Sequence, residues 1–202
     1  MDDEVPPELA GHPDRLRWNG KYGTAGASFT PHRLAVRALS QPPPDGPVLD
    51  LACGPSGSTL LAAEHGRRVT AVDVSEVALA LLDAEARRRG VRDLITLIHA
   101  DLGEWTSAVP GGFALVLCTG YWDRAVFAPA ADAVTAGGLL AWEAFTVDAR
   151  RVRPRLPAEW CLAPGEPASL LPAGFTVLDQ QDVPDPEHGT KRGLIARRVG
   201  PS

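Results

Sequence analysis

At 202 residues, with 45% hydrophobic and 22% charged side chains, the chain is long enough for one globular domain with a sizeable core. It is too apolar for a disordered protein. A net charge of -5 argues against a nucleic-acid surface. Three cysteines without paired spacing, Cys53, Cys118 and Cys161, argue against a disulfide framework or a zinc site and fit a reducing, cytoplasmic setting.

Residues Met1 to Pro13 are acidic and proline-containing and read as a mobile tail. The start Met1-Asp2-Asp3-Glu4 is unlike a signal peptide, and no apolar run reaches membrane-spanning length, so no membrane partner is expected. Pro31 opens a predicted helix capped by Thr30 and running through Val36 and Leu39. Gln41 to Gly46 is a stiff connector ending in a turn. The chain therefore divides into residues 1–46, a tail with a helical segment, and residues 47–202, the ligand-binding domain.

The domain begins with a predicted strand, Pro47 to Leu51, which runs into the small-residue loop Ala52-Cys53-Gly54-Pro55-Ser56-Gly57. A helix from Ser58 to His65 follows, closed by Gly66. Strand, tight turn and helix in this order make a ligand site at the carboxyl end of a parallel strand. The loop's chemistry narrows the ligand. A pyrophosphate wants free N–H donors and no nearby anion. Here Pro55 removes one donor, and Asp50 stands just before the turn. Two more acids, Asp73 and Asp101, fall where later strands should end. A ring of carboxylates suits a cationic ligand with ribose hydroxyls.

The second strand is predicted over Arg68 to Val72, with Asp73 at its tip, roughly 20 residues past the loop, the spacing at which an acid reaches a ribose. A helix cap is the alternative for Asp73, although Ser75 is the better cap for the next helix. That helix carries Val77, Leu81 and Ala84 at helical spacing, ends in Arg87-Arg88-Arg89, a solvated run that suits the helix dipole, and closes at Gly90. Strand three is Leu94 to His99, with His99 read as a core histidine, and Asp101 follows it. Strand four is Phe113 to Cys118, and Thr119 to Arg124 is the loop beyond it. A helix from Val126 to Thr135 is expected to end at Gly137-Gly138, with strand five over Leu139 to Phe145. The arginine-rich run Arg150 to Arg155 reads as a solvated loop, with attraction of an anionic substrate as the alternative. A short helix, Pro167 to Leu171, precedes two strands, Phe175 to Val183 and Gly193 to Val199, which form a terminal antiparallel hairpin.

The stretch Leu49-Asp50-Leu51-Ala52-Cys53-Gly54-Pro55-Ser56-Gly57 resembles the glycine-rich motif of class I methyltransferases that use S-adenosylmethionine (SAM). The likeness runs from about Trp18 to Arg198 and is nearest to small bacterial methyltransferases of the tellurite-resistance type. Ala52 and Ser56 stand where glycine is usual, and both are small enough for the turn to survive. The resemblance implies an α/β fold with a Rossmann-like, doubly wound, mostly parallel seven-stranded sheet and a terminal hairpin. It implies SAM as cofactor and methyl transfer to an O, N or S/chalcogen nucleophile on a small-molecule acceptor. It places the methionine end at Asp50, Ala52, Cys53, Gly54 and Thr119, the ribose at Asp73 and Val74, and the adenine at Asp101 and Leu102. Trp18 and Tyr22 would fold over the cofactor as a lid, or else pack on the domain edge. Tyr121, Trp122 and Arg124 become acceptor-side candidates. For Trp122 a place in the core, and for Arg124 a surface helix start, stand beside that reading. His188, in the turn of the hairpin, is a candidate general base. The Asn/Asp-Pro-Pro-aromatic signature of nucleic-acid amino methyltransferases is absent, so no nucleic-acid partner is expected. Two other readings stand beside this one: a SAM-binding protein that senses SAM or runs another conversion, and a nicotinamide-dependent oxidoreductase.

Overall fold

A run of apolar residues ending in a polar tip recurs down this chain, and each run becomes a strand of one sheet. The computed structural model describes residues 5–25, 27–41, 44–105 and 111–200. The strands are β1 (Val48–Leu51), β2 (Val69–Asp73), β3 (Ile95–His99), β4 (Phe113–Thr119), β5 (Val134–Phe145), β6 (Phe175–Val183) and β7 (Lys191–Arg198). Their order is β3-β2-β1-β4-β5-β7-β6. The first five pair in parallel, and β7 runs antiparallel between β5 and β6. The expected fold class is the observed one. Order reverses between β1 and β4, so the loop after β1 opens at the topological switch point.

The helices are α1 (Pro13–Ala25), α2 (Arg33–Ser40), α3 (Gly57–Glu64), α4 (Glu76–Arg88) and α5 (Arg124–Asp132). Side-chain alternation along the strands sorts the core into two layers. Leu49, Leu51, Val116, Leu140 and Trp142 face α5, where Trp142 stacks edge-on with Trp122 and Phe127. Val48, Ala71, Leu115, Leu117 and Ala141 face α2, α3 and α4. A central parallel sheet covered on both faces explains why its strands read as nearly continuous apolar runs.

Several local expectations give way. The described part of the supposed tail holds a short 3-10 turn, Pro7–Leu9, with Leu9 buried; Met1 to Glu4 lie outside the described residues, as do Pro42 and Pro43 of the connector. Helix α2 is capped by the His32 ring, not by Thr30: Leu34 N–H donates to Nδ1. Helix α4 is capped by Ser75 as expected, but its buried stripe is Ala78, Leu79, Leu82 and Ala86, displaced from the predicted one. Helix α5 starts under an Asp123 cap and stops at Asp132. Gly137-Gly138 therefore lies inside β5, where the pairing with β4 slips between Phe113 and Leu115. A Cβ on Gly138 would stand 2.9 Å from the Ala114 and Thr135 carbonyl oxygens, so the bulge needs glycine there. The predicted helix at Pro167 to Leu171 is only a 3-10 turn, Ala168–Leu170.

Candidate active site

The loop after β1 is built around two buried acids. Alternation puts Asp50 on the same sheet face as Val48, toward α3 and away from the α5 layer. There its Oδ2 accepts from Ser56 Oγ and Thr59 Oγ1, each at 2.7 Å. Burial pushes the Asp50 carboxyl above its usual range, while these two hydroxyls and the nearby His32 pull it back. Ser56 also caps α3, accepting from Thr59 N–H at 3.0 Å. The side chain in the usual glycine place thus ties the loop to both the helix and Asp50. Asp50, expected to hold a ligand directly, is instead buried and turned inward as the loop's anchor.

Asp73, at the tip of β2, holds the other side of the loop. Its Oδ2 accepts from Gly54 N–H at 2.7 Å and its Oδ1 from Ser75 N–H at 2.8 Å. Burial raises its pKa to about 6, with the two N–H donors opposing and the Asp50 charge adding. Ala52 takes φ 48°, a left-handed conformation that explains why glycine is usual in its place. Gly57 is enforced by contact: a Cβ there would lie 2.3 Å from the Phe29 carbonyl oxygen.

That contact brings the N-terminal segment onto the loop. His32 N–H donates to Ser58 Oγ at 3.1 Å, which ties the start of α2 to α3. Helix α1 lies across the tips of β2 and β3. Arg15 and Asn19 bond Glu76, Ser75 Oγ–H donates to Asn19, and His12 stands 3.9 Å from Asp101. Trp18 and Tyr22 stack on this helix with centroids 5.8 Å apart. Tyr22 reaches the loop: a Cβ on Gly54 would sit 2.8 Å from its hydroxyl. Burial, with Asp73 and Cys53 nearby, raises the Tyr22 pKa, so the hydroxyl stays protonated.

Between this segment, the loop and β4 lies an open cavity of about 330 Å³. Tyr22, Cys53 and Thr119, all expected at the ligand, line it together with Lys21, His32 and Ser58, which the sequence reading did not single out. Glu143 sits beside Thr119 in register on β5, and its Oε1 lies 3.1 Å from His32 Nε2 and 3.5 Å from Lys191 Nζ. Because His32 Nδ1 accepts from Leu34 N–H, Nε2 carries the proton that is donated to Glu143. Burial raises the Glu143 carboxyl, but His32 and Lys191 outweigh it and hold it below its usual range.

The other candidates are dispersed. Leu102 is buried in the α5 layer and lines a separate apolar cavity of about 80 Å³. Val74 offers its carbonyl to His99 Nε2 at 3.0 Å. Tyr121 packs against the α5 layer, and burial with nearby acids raises its pKa and keeps its hydroxyl protonated. Trp122 is core, 3% exposed. Arg124 turns away into a two-pronged ion pair with Glu166, both contacts at 2.8 Å. His188 is exposed in the hairpin turn and pairs with Asp185 at 3.1 Å. Arg124 and His188 are thus each held by a carboxylate, and Arg124 opens α5 at the surface, the alternative weighed for it. Among the described residues no His, Cys, Asp and Glu group could hold a metal.

This arrangement, a switch-point loop flanked by acids and with no lysine of its own, can be set against known proteins. Residues 48–138 match the family model described as a methyltransferase domain. The match takes in a little under half of the chain, from β1 to the start of β5. A stretch of 78 residues is 31% identical to a protein of Methanothermobacter thermautotrophicus named "Probable cobalt-precorrin-6B C(15)-methyltransferase (decarboxylating)", and covers 39% of this chain and 41% of that one. The whole fold is similar to a structure described by the conversion of a disulfide bond into a thioacetal group during echinomycin biosynthesis. That likeness has TM-score 0.67 and 18% identity over 94% of both chains. It is also similar to geranyl diphosphate C-methyltransferase from Streptomyces coelicolor A3(2), solved with Mg2+, geranyl diphosphate and S-adenosyl-L-homocysteine. Here the TM-score is 0.67, with 16% identity over 82% of this chain and 75% of that one.

Proposed function

We propose that this protein is a SAM-dependent methyltransferase acting on a small-molecule acceptor. The observation that carries the reading is the Asp73–Gly54 bond. It joins an acid at the β2 tip to the glycine loop at the switch point, within the region that matches a methyltransferase domain. The donor set fits SAM better than a dinucleotide. One proline and two flanking buried acids stand where a pyrophosphate would want free N–H groups and no nearby anion. The finer likeness, to the tellurite-resistance type, rests on the loop sequence and the Trp18–Tyr22 segment alone.

When bound, SAM supplies an electrophilic methyl group on a sulfonium. The chain's part is to hold and orient both reactants and to exclude water. The loop from Ala52 to Gly57, with Ser58 and Thr119, would hold the methionine end. Asp73 would take the ribose hydroxyls on the lone pairs that its two backbone donors leave free. Asp101, under α1, would face the adenine. Tyr22 would close the cleft over the loop. Where the acceptor has a proton to lose, Glu143, in register with Thr119 and in contact with His32 of the cavity wall, is the carboxylate offered, and its contacts with His32 and Lys191 keep it ionised to receive that proton.

The test is titration with S-adenosylhomocysteine by calorimetry, then transfer of a labelled methyl group from SAM to a panel of small acceptors. Saturable binding with label transfer supports the reading. Tight NAD(H) binding without SAM binding would overturn it, and SAM binding without transfer to any acceptor would favour a sensing or non-methylating role.

A further inference from the structure

Two arginine-rich surfaces of this protein are built differently. At the end of α4, Arg87, Arg88, Arg89 and Arg92 all pair with carboxylates, namely Asp83, Glu85 and Glu64. That is a solvated, self-neutralised helix end. Beside the cavity, cations converge from three separate parts of the chain and lie on aromatic rings instead. From α1, Arg17 sits 5.4 Å from the Trp18 ring and 4.7 Å from that of Trp160, and Lys21 sits 4.5 Å from Trp18 and 5.6 Å from Tyr22. Arg153, from the stretch after β5, and Lys191, opening β7, stand 4.6 and 5.2 Å from Phe145. Lys191 reaches Glu143; among the described residues no carboxylate lies within ion-pair distance of Arg17, Lys21 or Arg153.

The two sets join at the cavity, since Lys21 and His32 both line it and His32 meets Glu143. The cations feel one another. Burial first, then the charges of Arg17, Arg153 and Lys191, hold Lys21 below the ordinary lysine pKa. Like charges gathered this way repel, and the ring faces recover only about 0.5–1 kcal/mol per exposed contact. The chain's net charge is -5, yet among the described residues no acid pairs with Arg17, Lys21 or Arg153.

Resting on the methyltransferase reading above, we propose that the acceptor is a small organic anion whose carboxylate or phosphate is held by Lys21 and Arg153, with Arg17 and Lys191 at the flanks. The anion would complete the charge balance that the fold leaves open and would draw the acceptor's body into the cavity beside Thr119. Of the arginine-rich run from Arg150 to Arg155, only Arg153 belongs to this group: Arg150 bonds the Leu156 carbonyl, Arg151 pairs with Asp148, and Arg155 is exposed.

The experiment titrates the protein, preloaded with S-adenosylhomocysteine, with three probes by calorimetry: 4-hydroxybenzoate, phenyl phosphate and neutral 4-hydroxybenzamide. At least one anion should bind tenfold or more tightly than the amide, and more weakly as salt is raised. The two anions tell a carboxylate subsite from a phosphate one. Lys21→Ala with Arg153→Ala should weaken the anion at least tenfold, while Lys21→Arg with Arg153→Lys should restore most of the loss. Equal binding of the amide, no binding of either anion to the loaded protein, or full retention in the double alanine variant would overturn the proposal. Anion binding without S-adenosylhomocysteine binding would uphold the anion subsite and sink the methyltransferase reading instead.

Discussion

The two walls of the cleft are made on opposite plans. On the loop side, the acids are met from within: Asp50 by two hydroxyls, Asp73 by two backbone N–H groups. On the far side, Lys21, Arg17 and Arg153 rest on rings, with no carboxylate in ion-pair reach among the described residues. A wall satisfied by its own residues holds its shape with the cleft empty. A wall left with uncompensated donors is shaped for something to arrive. The contrast teaches that the loop side is preorganised, whereas the far side, on the proposal above, is completed by a bound anion.

The contrast is most severely tested at Gly57. A Cβ there must push on the backbone of Phe29 and Thr30, contacts of 2.3–2.5 Å. Gly57→Ala should destabilise the protein by up to about 3 kcal/mol, the upper range for overpacking, and lower its melting temperature. A melting curve like that of the unaltered protein would show that the N-terminal segment is loosely docked. Asp50→Ala comes next. It strands two buried hydroxyls and should cost about 1–3 kcal/mol in denaturant unfolding, while every group that touches the ligand stays in place. A variant that keeps its stability and loses only ligand affinity would return Asp50 to the ligand.

Asp73→Asn should weaken S-adenosylhomocysteine by about 1–3 kcal/mol, as expected when ribose hydroxyls lose a charged acceptor. Acidity sharpens the point. The folded pKa of about 6 exceeds the ordinary carboxyl value of 3.8, so between those limits the folded state holds more protons than the unfolded one. Asp73's contribution to stability without ligand is therefore present at low pH and lost as pH rises toward 6. Ligand affinity should move the opposite way, rising over that window as the carboxylate ionises. The difference between native and Asp73→Asn curves isolates this group, and a flat difference across pH 4–7 would contradict the burial of its charge. The smallest effect is expected at Ala52→Gly. Relief of the left-handed φ should stabilise the protein by about 1 kcal/mol in thermal unfolding, and a loss of stability would mean that the Ala52 methyl is needed for packing.

Much of this was readable along the chain. The apolar runs and punctuating glycines gave the strands of a doubly wound sheet, and Ser75 announced itself as a cap. Asp50 was misjudged although the signal was present. A period of two puts it on the Val48 face, and the serine and threonine needed to meet it lie six and nine residues on, one turn apart at the start of α3. The partner of Arg124 was hidden for a different reason: Glu166 is 42 residues away, past strand β5. Gly137-Gly138 reads as a helix stop only if β4 is ignored, because the bulge exists only in the pairing of the two strands.

By itself, the sequence determined the period of each element, the loop chemistry at the switch point and the acids that flank it. These depend on neighbours within a turn or a strand, where spacing alone fixes who faces whom. Only the tertiary structure decided that His32, Glu143 and Lys191 meet, and that the charges of Arg17, Arg153 and Lys191 act on Lys21 at the cavity wall. Those contacts join segments from opposite ends of the chain. They follow from where β7 inserts beside β5 and where α1 crosses the strand tips, and no local pattern carries that information.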